Sequence, residues 1–374
     1  NIFAMLLLML VATVFVTSPA NLIASITPDW MTIGIITALI FAYYLISTIL
    51  PIDKAMGKVY PWFGAILIIS TIAIGISLLT GGHNLPELTM GAMQNFHPKG
   101  TPIFPAIFFT ISCGAISGFH ATQAPMVSRT STNEREGRFL FYGMMIAEGV
   151  IAMIWAGASM ALFDGQTLSQ MIDAGTPSAV VNQVSTMLLG NVFGTVAIIG
   201  VIVLPISSGL SAFRSLRTIL ADYMNIKQDS MKKILMMTIP LFVISFFLTK
   251  VDFNLIWRYF NWANQVTAVI ALLMSTRYLY LKNKNYLVTL LPATFMLYAC
   301  VVYILSEPIG FRMGLQTATY LVGLVATVAI MALYWTTGVK QKVALSPESE
   351  LLNDHLPIGT FSSIDAVPAA VAAE

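Results

Sequence analysis

The chain has 374 residues, of which 57% are hydrophobic and only 10% are charged, with 19 Lys and Arg against 17 Asp and Glu. Soluble domains carry about 25% charged residues, so this composition excludes a soluble globule and, for the bulk of the chain, disorder. The mean hydropathy of +0.80 predicts an all-α polytopic protein that has the lipid bilayer as its surroundings. The net charge of +2 is small and its carriers are scattered, which excludes nucleic acid as a partner.

A window of about 19 residues predicts ten membrane-spanning helices. Apolar runs such as residues 197–204 do not alternate in polarity, so helices are predicted and strands are not. The predicted spans cover residues 2–25, 32–50, 60–80, 103–125, 139–163, 179–206, 234–250, 254–276, 286–305 and 316–337.

The Lys and Arg residues are distributed unequally between alternate connections. If residue 1 lies on the cytoplasmic side, the inner connections hold fifteen of them and the outer connections four. Because inner loops of membrane proteins are enriched in Lys and Arg, both ends are predicted to be cytoplasmic. Residues 1–340 are then a transmembrane domain, and residues 341–374, which are richer in polar residues, a disordered cytoplasmic tail.

The fourth predicted span combines small and polar residues. Gly114 and Gly118 lie four residues apart, Ser117 and His120 lie on the adjoining face, and Pro125 removes a backbone donor. One interpretation is a helix-packing seam with a histidine that bonds across helices. The favoured interpretation is a helix that unwinds near the glycines and offers its backbone groups to a ligand, because ionisable groups at membrane depth usually have a function.

Glu148 lies midway along the fifth predicted span. An isolated carboxylate in hydrocarbon is costly enough to stay protonated or to find a partner. Glu148 is therefore predicted to carry a proton, to balance a charge on His120, or to bind a cation. A protonated side chain with one structural hydrogen bond is the alternative.

The sixth predicted span ends in Pro205, Ser207, Ser208 and Gly209. Hydroxyls and freed carbonyls at such a position can coordinate a cation, or the segment can form a kink that satisfies itself. The amphipathic stretch that follows, residues 210–223, is predicted to lie near the inner surface as an orientation anchor.

The eighth predicted span carries a polar stripe. Arg258, Asn261, Asn264 and Gln265 are spaced three and four residues apart, on one face of the helix. Amides of this kind usually form hydrogen bonds between membrane helices, and that role is predicted here. The lining of a wet vestibule is the alternative.

Familiar enzyme and metal motifs are absent from the sequence. It contains no GxSxG, no His-Glu-x-x-His, no phosphate-binding loop and no Cys/His spacing suited to a metal. The protein is therefore predicted not to be an enzyme and to hold no cofactor.

Three segments carry a family resemblance. They are Cys-Gly-Ala-Ile-Ser-Gly-Phe-His at 113–120, Asn-Glu-Arg-Glu-Gly-Arg at 133–138 and Phe-Tyr-Gly-Met-Met-Ile-Ala-Glu-Gly at 141–149. In these segments, and through most of residues 1–340, the chain resembles the carbon starvation protein A family. That family comprises bacterial inner-membrane transporters linked to the uptake of peptides and of pyruvate when carbon is scarce.

The resemblance implies a LeuT-like fold of the amino acid–polyamine–organocation superfamily, which consists of two inverted repeats of five helices. The chain would lack the first two core helices, so that its predicted spans 1, 4 and 6 correspond to core helices 3, 6 and 8. Core helix 6 is broken and surrounds substrate, which implies substrate or coupling roles for Gly114, Ser117, Gly118 and His120, with Glu148 tuning protonation. Core helix 8 implies a cation site at Ser207 and Ser208.

Together with the resemblance, these observations favour a transporter that imports a small carboxylate-bearing molecule, pyruvate or a short peptide, with H⁺ or Na⁺ as the coupling ion. Two alternatives remain open. A membrane enzyme would use His120 and Glu148 as an acid–base pair on lipid-linked substrates, and a nutrient sensor would signal through its cytoplasmic loops. The oligomeric state is left open.

Overall fold

The computed structural model describes residues 2–49, 53–83 and 102–339, together with residues 85, 87, 89, 90, 95 and 100. The predicted tail at 341–374 lies outside the described residues. Where the chain is described it is helical, with α-helices joined by short turns. The helices are α1 Ile2–Ile26, α2 Ile33–Ile49, α3 Asp53–Thr80, α4 Ile103–Ala115, α5 Gly118–Thr130, α6 Met144–Leu162, α7 Gly165–Tyr223, α8 Met231–Leu248, α9 Phe253–Leu281, α10 Leu287–Ser306 and α11 Thr317–Leu333.

Eight of the described helical segments are long and apolar enough to cross a membrane. The predicted count of ten is therefore not confirmed. The difference lies in α2, which has only 17 residues, and in α9, whose polar stripe lowers its mean hydropathy. Asn264 and Gln265 of α9 are fully buried, so these polar side chains do not face lipid. The segments that qualify are Ile2–Ile26, Tyr60–Thr80, Ile103–Ser128, Arg138–Leu162, Thr176–Tyr223, Met231–Leu248, Leu287–Ser306 and Thr317–Val339.

The long helix α7 is divided by two residues with positive φ, Thr176 (64°) and Gly190 (73°). The chain folds back at Gly190. This is shown by the position of Gly194, where a built Cβ would lie only 2.8 Å from the carbonyl oxygen of Ser185, nine residues earlier. The prediction of one span over residues 179–206 is therefore wrong. The continuous helix begins after Gly190 and runs to Tyr223, and the residues before it form a helical hairpin against it.

The stretch 210–223 is a continuation of this helix and does not form the predicted surface anchor. Phe213 is buried, and its ring centroid lies 4.7 Å from that of Phe242 in α8 and 5.8 Å from that of Tyr44 in α2. Burial of these rings stabilises the segment in the protein interior, which an interfacial position would not do.

The most extensive helix–helix interface joins α1 to α7. Leu22 of α1 packs with Ile198, whereas a Cβ on Gly209 would lie 3.2 Å from the Cβ of Phe15. Residue numbers thus rise along α1 as they fall along α7, and the two helices are antiparallel. With α2, α8 and α9 they enclose the largest core cluster.

The first segment of α7 is capped by Asp164. Its carboxylate accepts from the backbone N–H of Thr167 at 2.7 Å and from the Thr167 hydroxyl at 3.1 Å, and these bonds lower the pKa of Asp164 below its usual value. A carboxylate with a lowered folded-state pKa adds stability above its unfolded pKa and loses that contribution as the pH falls through the folded pKa.

We therefore expect Asp164→Ala to lower the melting temperature at neutral pH, because the cap is lost. The difference from wild type should shrink as the pH falls through the pKa of the folded carboxyl. The measurement is thermal unfolding in detergent between neutral and acidic pH. Asp164→Asn retains a capping oxygen without the charge and serves as the control; a pH-independent difference for Asp164→Ala would contradict the assignment.

Candidate functional site

The predicted unwinding of the fourth span is confirmed. Helix α4 ends at Ala115 and α5 begins at Gly118. Between them Ile116 (φ −137°, ψ 73°) and Ser117 (φ −96°, ψ 133°) are non-helical. We call Ile116 and Ser117 the interruption. Its presence means that backbone groups near the middle of a candidate membrane span lack their usual helical partners.

Gly118 packs directly on the backbone of α9. A Cβ built at this position would collide with the carbonyl oxygen of Asn264 and would lie 2.6 Å from the Cβ of Thr267. The residue therefore serves the predicted packing role as well as standing at the start of α5. By contrast, a Cβ on Gly114 would come no closer than 3.9 Å to Oε1 of Glu148, an ordinary contact distance.

The beginning of α5 is held by Asn264 of α9. Its Oδ1 accepts from the Ser117 hydroxyl at 3.0 Å and from the backbone N–H of Phe119 at 2.9 Å. Its Nδ2 donates to Sγ of Cys113 at 3.6 Å. Ser117 was predicted as a substrate ligand, but its side chain is buried and bonded to α9 here, where it also caps α5.

The end of α4 is held by Gln265 of α9. In the orientation of its side-chain amide that gives both the oxygen and the nitrogen hydrogen-bond partners, the oxygen accepts from the N–H of Cys113 at 3.2 Å. The nitrogen then donates to the carbonyl of Ile116 at 3.1 Å. The predicted role of the α9 amides in bonding between helices is confirmed for Asn264 and Gln265. The sequence did not indicate that the helix they bond is the interrupted one.

His120 and Glu148 meet beside the interruption. Nε2 of His120 lies 3.6 Å from Oε2 of Glu148, and the two side chains are 37% and 48% exposed. The carboxylate of Glu148 also lies over Gly114, just before the interruption. The structure thus brings together His120, Glu148 and Gly114, whereas the balancing of a charge on His120 by Glu148 stays a prediction.

Ser207 and Ser208 lie elsewhere, on the continuous part of α7. The hydroxyl of Ser207 donates to the carbonyl of Leu204 at 2.8 Å, so it is bonded within its own helix. The helix runs through Pro205 without a non-helical residue. No described hydrogen bond or ion pair joins either serine to His120 or Glu148.

The rest of the α9 stripe has separate partners. Nη1 of Arg258 lies 3.5 Å from Oε2 of Glu307, which follows α10. Asn261 is buried, and within the part of the chain that the structure describes its Oδ1 has no hydrogen-bond partner. Within the same residues, no group of three or more His, Cys, Asp or Glu is placed to hold a metal ion.

The fold and this site define a multi-pass membrane protein with a polar pair at an interrupted helix. The chain belongs to the carbon starvation protein CstA family, whose profile matches residues 2–254. The resemblance seen in the sequence is therefore confirmed. No solved structure is significantly similar to the chain.

Three relatives illustrate the similarity. An uncharacterised membrane protein of Haemophilus influenzae is 38% identical over 225 residues, which is 47% of this chain and 61% of that protein. The pyruvate/proton symporter BtsT of Escherichia coli K12 is 33% identical over 127 residues, 32% of this chain and 17% of the symporter. The peptide transporter CstA of the same organism is 31% identical over 134 residues, 33% of this chain and 17% of the transporter. The chain thus matches less than two thirds of the length of each.

Proposed function

We propose that the chain takes part in the import of small carboxylate-bearing nutrients, pyruvate or short peptides, driven by a coupled cation. The observation that carries this proposal is the His120–Glu148 pair at the interruption of a candidate membrane span. Membership of the CstA family, and similarity to a protein named as a pyruvate/proton symporter and to one named as a peptide transporter, support it.

The pair can couple a proton to a carboxylate. With His120 protonated and Glu148 ionised, the two charges compensate each other in a medium of low dielectric constant. An incoming carboxylate competes with Glu148 for the imidazolium. Glu148, once displaced, takes up a proton because an unpaired charge is unfavourable there. One proton and one carboxylate are thus held together, and their release restores the original pair.

A LeuT-like arrangement is part of the proposal. If α1 and α2 are core helices 3 and 4, then the continuous part of α7 and α8 are core helices 8 and 9, their equivalents in a second repeat of five. These four helices pack together around Tyr44, Phe213 and Phe242. In the same scheme α4 and α5 are the two halves of a broken helix beside the substrate.

The location and the coupling ion are proposed with it. The distribution of Lys and Arg supports an orientation with both ends of this chain in the cytoplasm, and membership of the CstA family supports a location in the bacterial inner membrane. A proton is the favoured ion, because both side chains of the His120–Glu148 pair can accept one. Sodium at Ser207 and Ser208 is the alternative, since a hydroxyl pair suits that ion.

A membrane enzyme is the second candidate function. The distance of 3.6 Å between His120 and Glu148 is close to, but longer than, the hydrogen-bonding distance at which an acid–base pair works. An enzyme would release altered substrate, whereas a transporter delivers its substrate unchanged. Chemical analysis of the internalised material separates the two functions.

The test is uptake of labelled pyruvate and of labelled dipeptides by cells that express the gene, with an imposed pH gradient or an imposed sodium gradient. We expect accumulation of unchanged substrate that follows the pH gradient and is insensitive to sodium. Loss of the sodium response in a Ser207→Ala, Ser208→Ala variant would instead favour the hydroxyl site. Equal uptake with and without the gene would contradict the proposal.

A further inference from the structure

The interruption is bonded on both sides to a single neighbouring helix. We infer that Asn264 and Gln265 of α9 are positioning residues that hold Ile116 and Ser117 out of the helical conformation. The relevance of this arrangement to transport rests on the proposed function. The inference about the conformation itself does not, and it can be tested separately.

Asn264 replaces a backbone acceptor. In a continuous helix the N–H of Phe119 would donate to the carbonyl of Ala115 four residues earlier. Here that N–H donates to Oδ1 of Asn264 at 2.9 Å, with the Ser117 hydroxyl at 3.2 Å. The N–H group that would bond to the Ala115 carbonyl in a continuous helix is therefore bonded to α9. Ala115 itself is exposed beside the candidate site.

Gln265 acts on the other side of the interruption. It bonds to the backbone N–H of Cys113 and the backbone carbonyl of Ile116. Backbone groups at the end of α4 therefore have a side chain as hydrogen-bond partner and need no further helical turn. Asn264 and Gln265 are both 0% exposed. Because water cannot replace their bonds there, removal of the Gln265 amide leaves the Ile116 carbonyl without this partner, and removal of the Asn264 amide leaves the Phe119 N–H with the Ser117 hydroxyl alone.

We call Asn264 and Gln265 of α9 the clamp. The absence of a side chain at Gly118 permits the close contact between α5 and α9 that the clamp requires. Backbone of α5 rests on backbone of α9 at Asn264 and Ala268. Helix α9 is itself unbroken over 29 residues and gives the interruption a rigid support. The interruption is therefore specified jointly by α4, α5 and α9, and not by its own two residues alone.

Cys113 is a native reporter of this arrangement. It is partly exposed, it lies just before the interruption, and Nδ2 of Asn264 donates to its sulfur. The other cysteine in the chain, Cys300 of α10, is 3% exposed. Labelling by a membrane-permeant maleimide therefore reports on the interruption at Cys113 and on global folding at Cys300.

We expect Asn264→Ala to raise the labelling rate of Cys113 by about tenfold, because the released segment samples conformations away from α9. Gln265→Met removes the other half of the clamp at similar volume and should also raise the rate. Cys300 should remain unlabelled in every variant.

The matched control is Thr276→Ala, which removes a buried α9 side chain bonded to Thr289 of α10 at 2.8 Å. It should leave the Cys113 rate unchanged. Wild-type labelling in both Asn264→Ala and Gln265→Met would overturn the inference. Labelling does not depend on uptake, so a failure of the transport assays would bear on the proposed function and not on the clamp.

Discussion

His120→Ala is expected to reduce uptake of the carboxylate substrate by roughly 10- to 100-fold, the range for a lost hydrogen bond to a charged group. The imidazolium is the cation that the substrate carboxylate contacts in our proposal, and it lies 3.6 Å from Glu148. Glu148→Gln preserves the size of the side chain but removes its ability to take up a proton. That variant should bind substrate yet lose the dependence of uptake on the pH gradient.

His83→Ala is the matched control, because His83 follows α3 and lies outside the described ion pairs. Uptake is measured at equal amounts of protein in the membrane. Undiminished uptake by His120→Ala would remove this residue from the mechanism. An unaltered pH response in Glu148→Gln would assign proton coupling to another group.

Gly118→Ala is expected to destabilise the protein by about 1–3 kcal/mol or more, the usual range for overpacking a tight interface. The new methyl group would lie 2.6 Å from the Cβ of Thr267 and would also meet the Asn264 carbonyl. Both neighbours belong to one rigid helix, so neither can move aside without separating α5 from α9.

Gly64→Ala is the control for this substitution, since nothing lies within 4 Å of a Cβ at Gly64. It should be neutral or slightly stabilising, because alanine favours a helix more than glycine does. The measurement is thermal unfolding of both variants in the same detergent. Equal melting temperatures for the two would show that the contact between α5 and α9 is not close.

The sequence predicted the features that depend on composition over a single helix. Apolar runs located the helices, and Gly114, Ser117 and Gly118 indicated where the fourth span is interrupted. The fold-back at Gly190 was missed because residues 179–206 remain apolar on both sides of it, and a hydropathy window averages over the turn. Burial of the 210–223 segment was missed because its amphipathic pattern suits a membrane surface as well as a protein core.

The site was predicted only in part, because its residues come from separate helices. His120 and Glu148 stood out as ionisable groups at membrane depth, and the structure places them together. Asn264 and Gln265 were recognised as polar groups on one helix face. Their partners in α4 and α5 lie about 150 positions earlier in the chain, and no local pattern indicates such a pairing.

Substrate-induced proton entry tests the central claim most directly. The protein is reconstituted into vesicles that contain a pH-sensitive dye, and pyruvate or a dipeptide is added outside. We expect the interior to acidify on addition of substrate, and we expect no acidification with His120→Ala or Glu148→Gln. Substrate that enters the vesicles without acidification, or acidification that persists in both variants, would contradict the account.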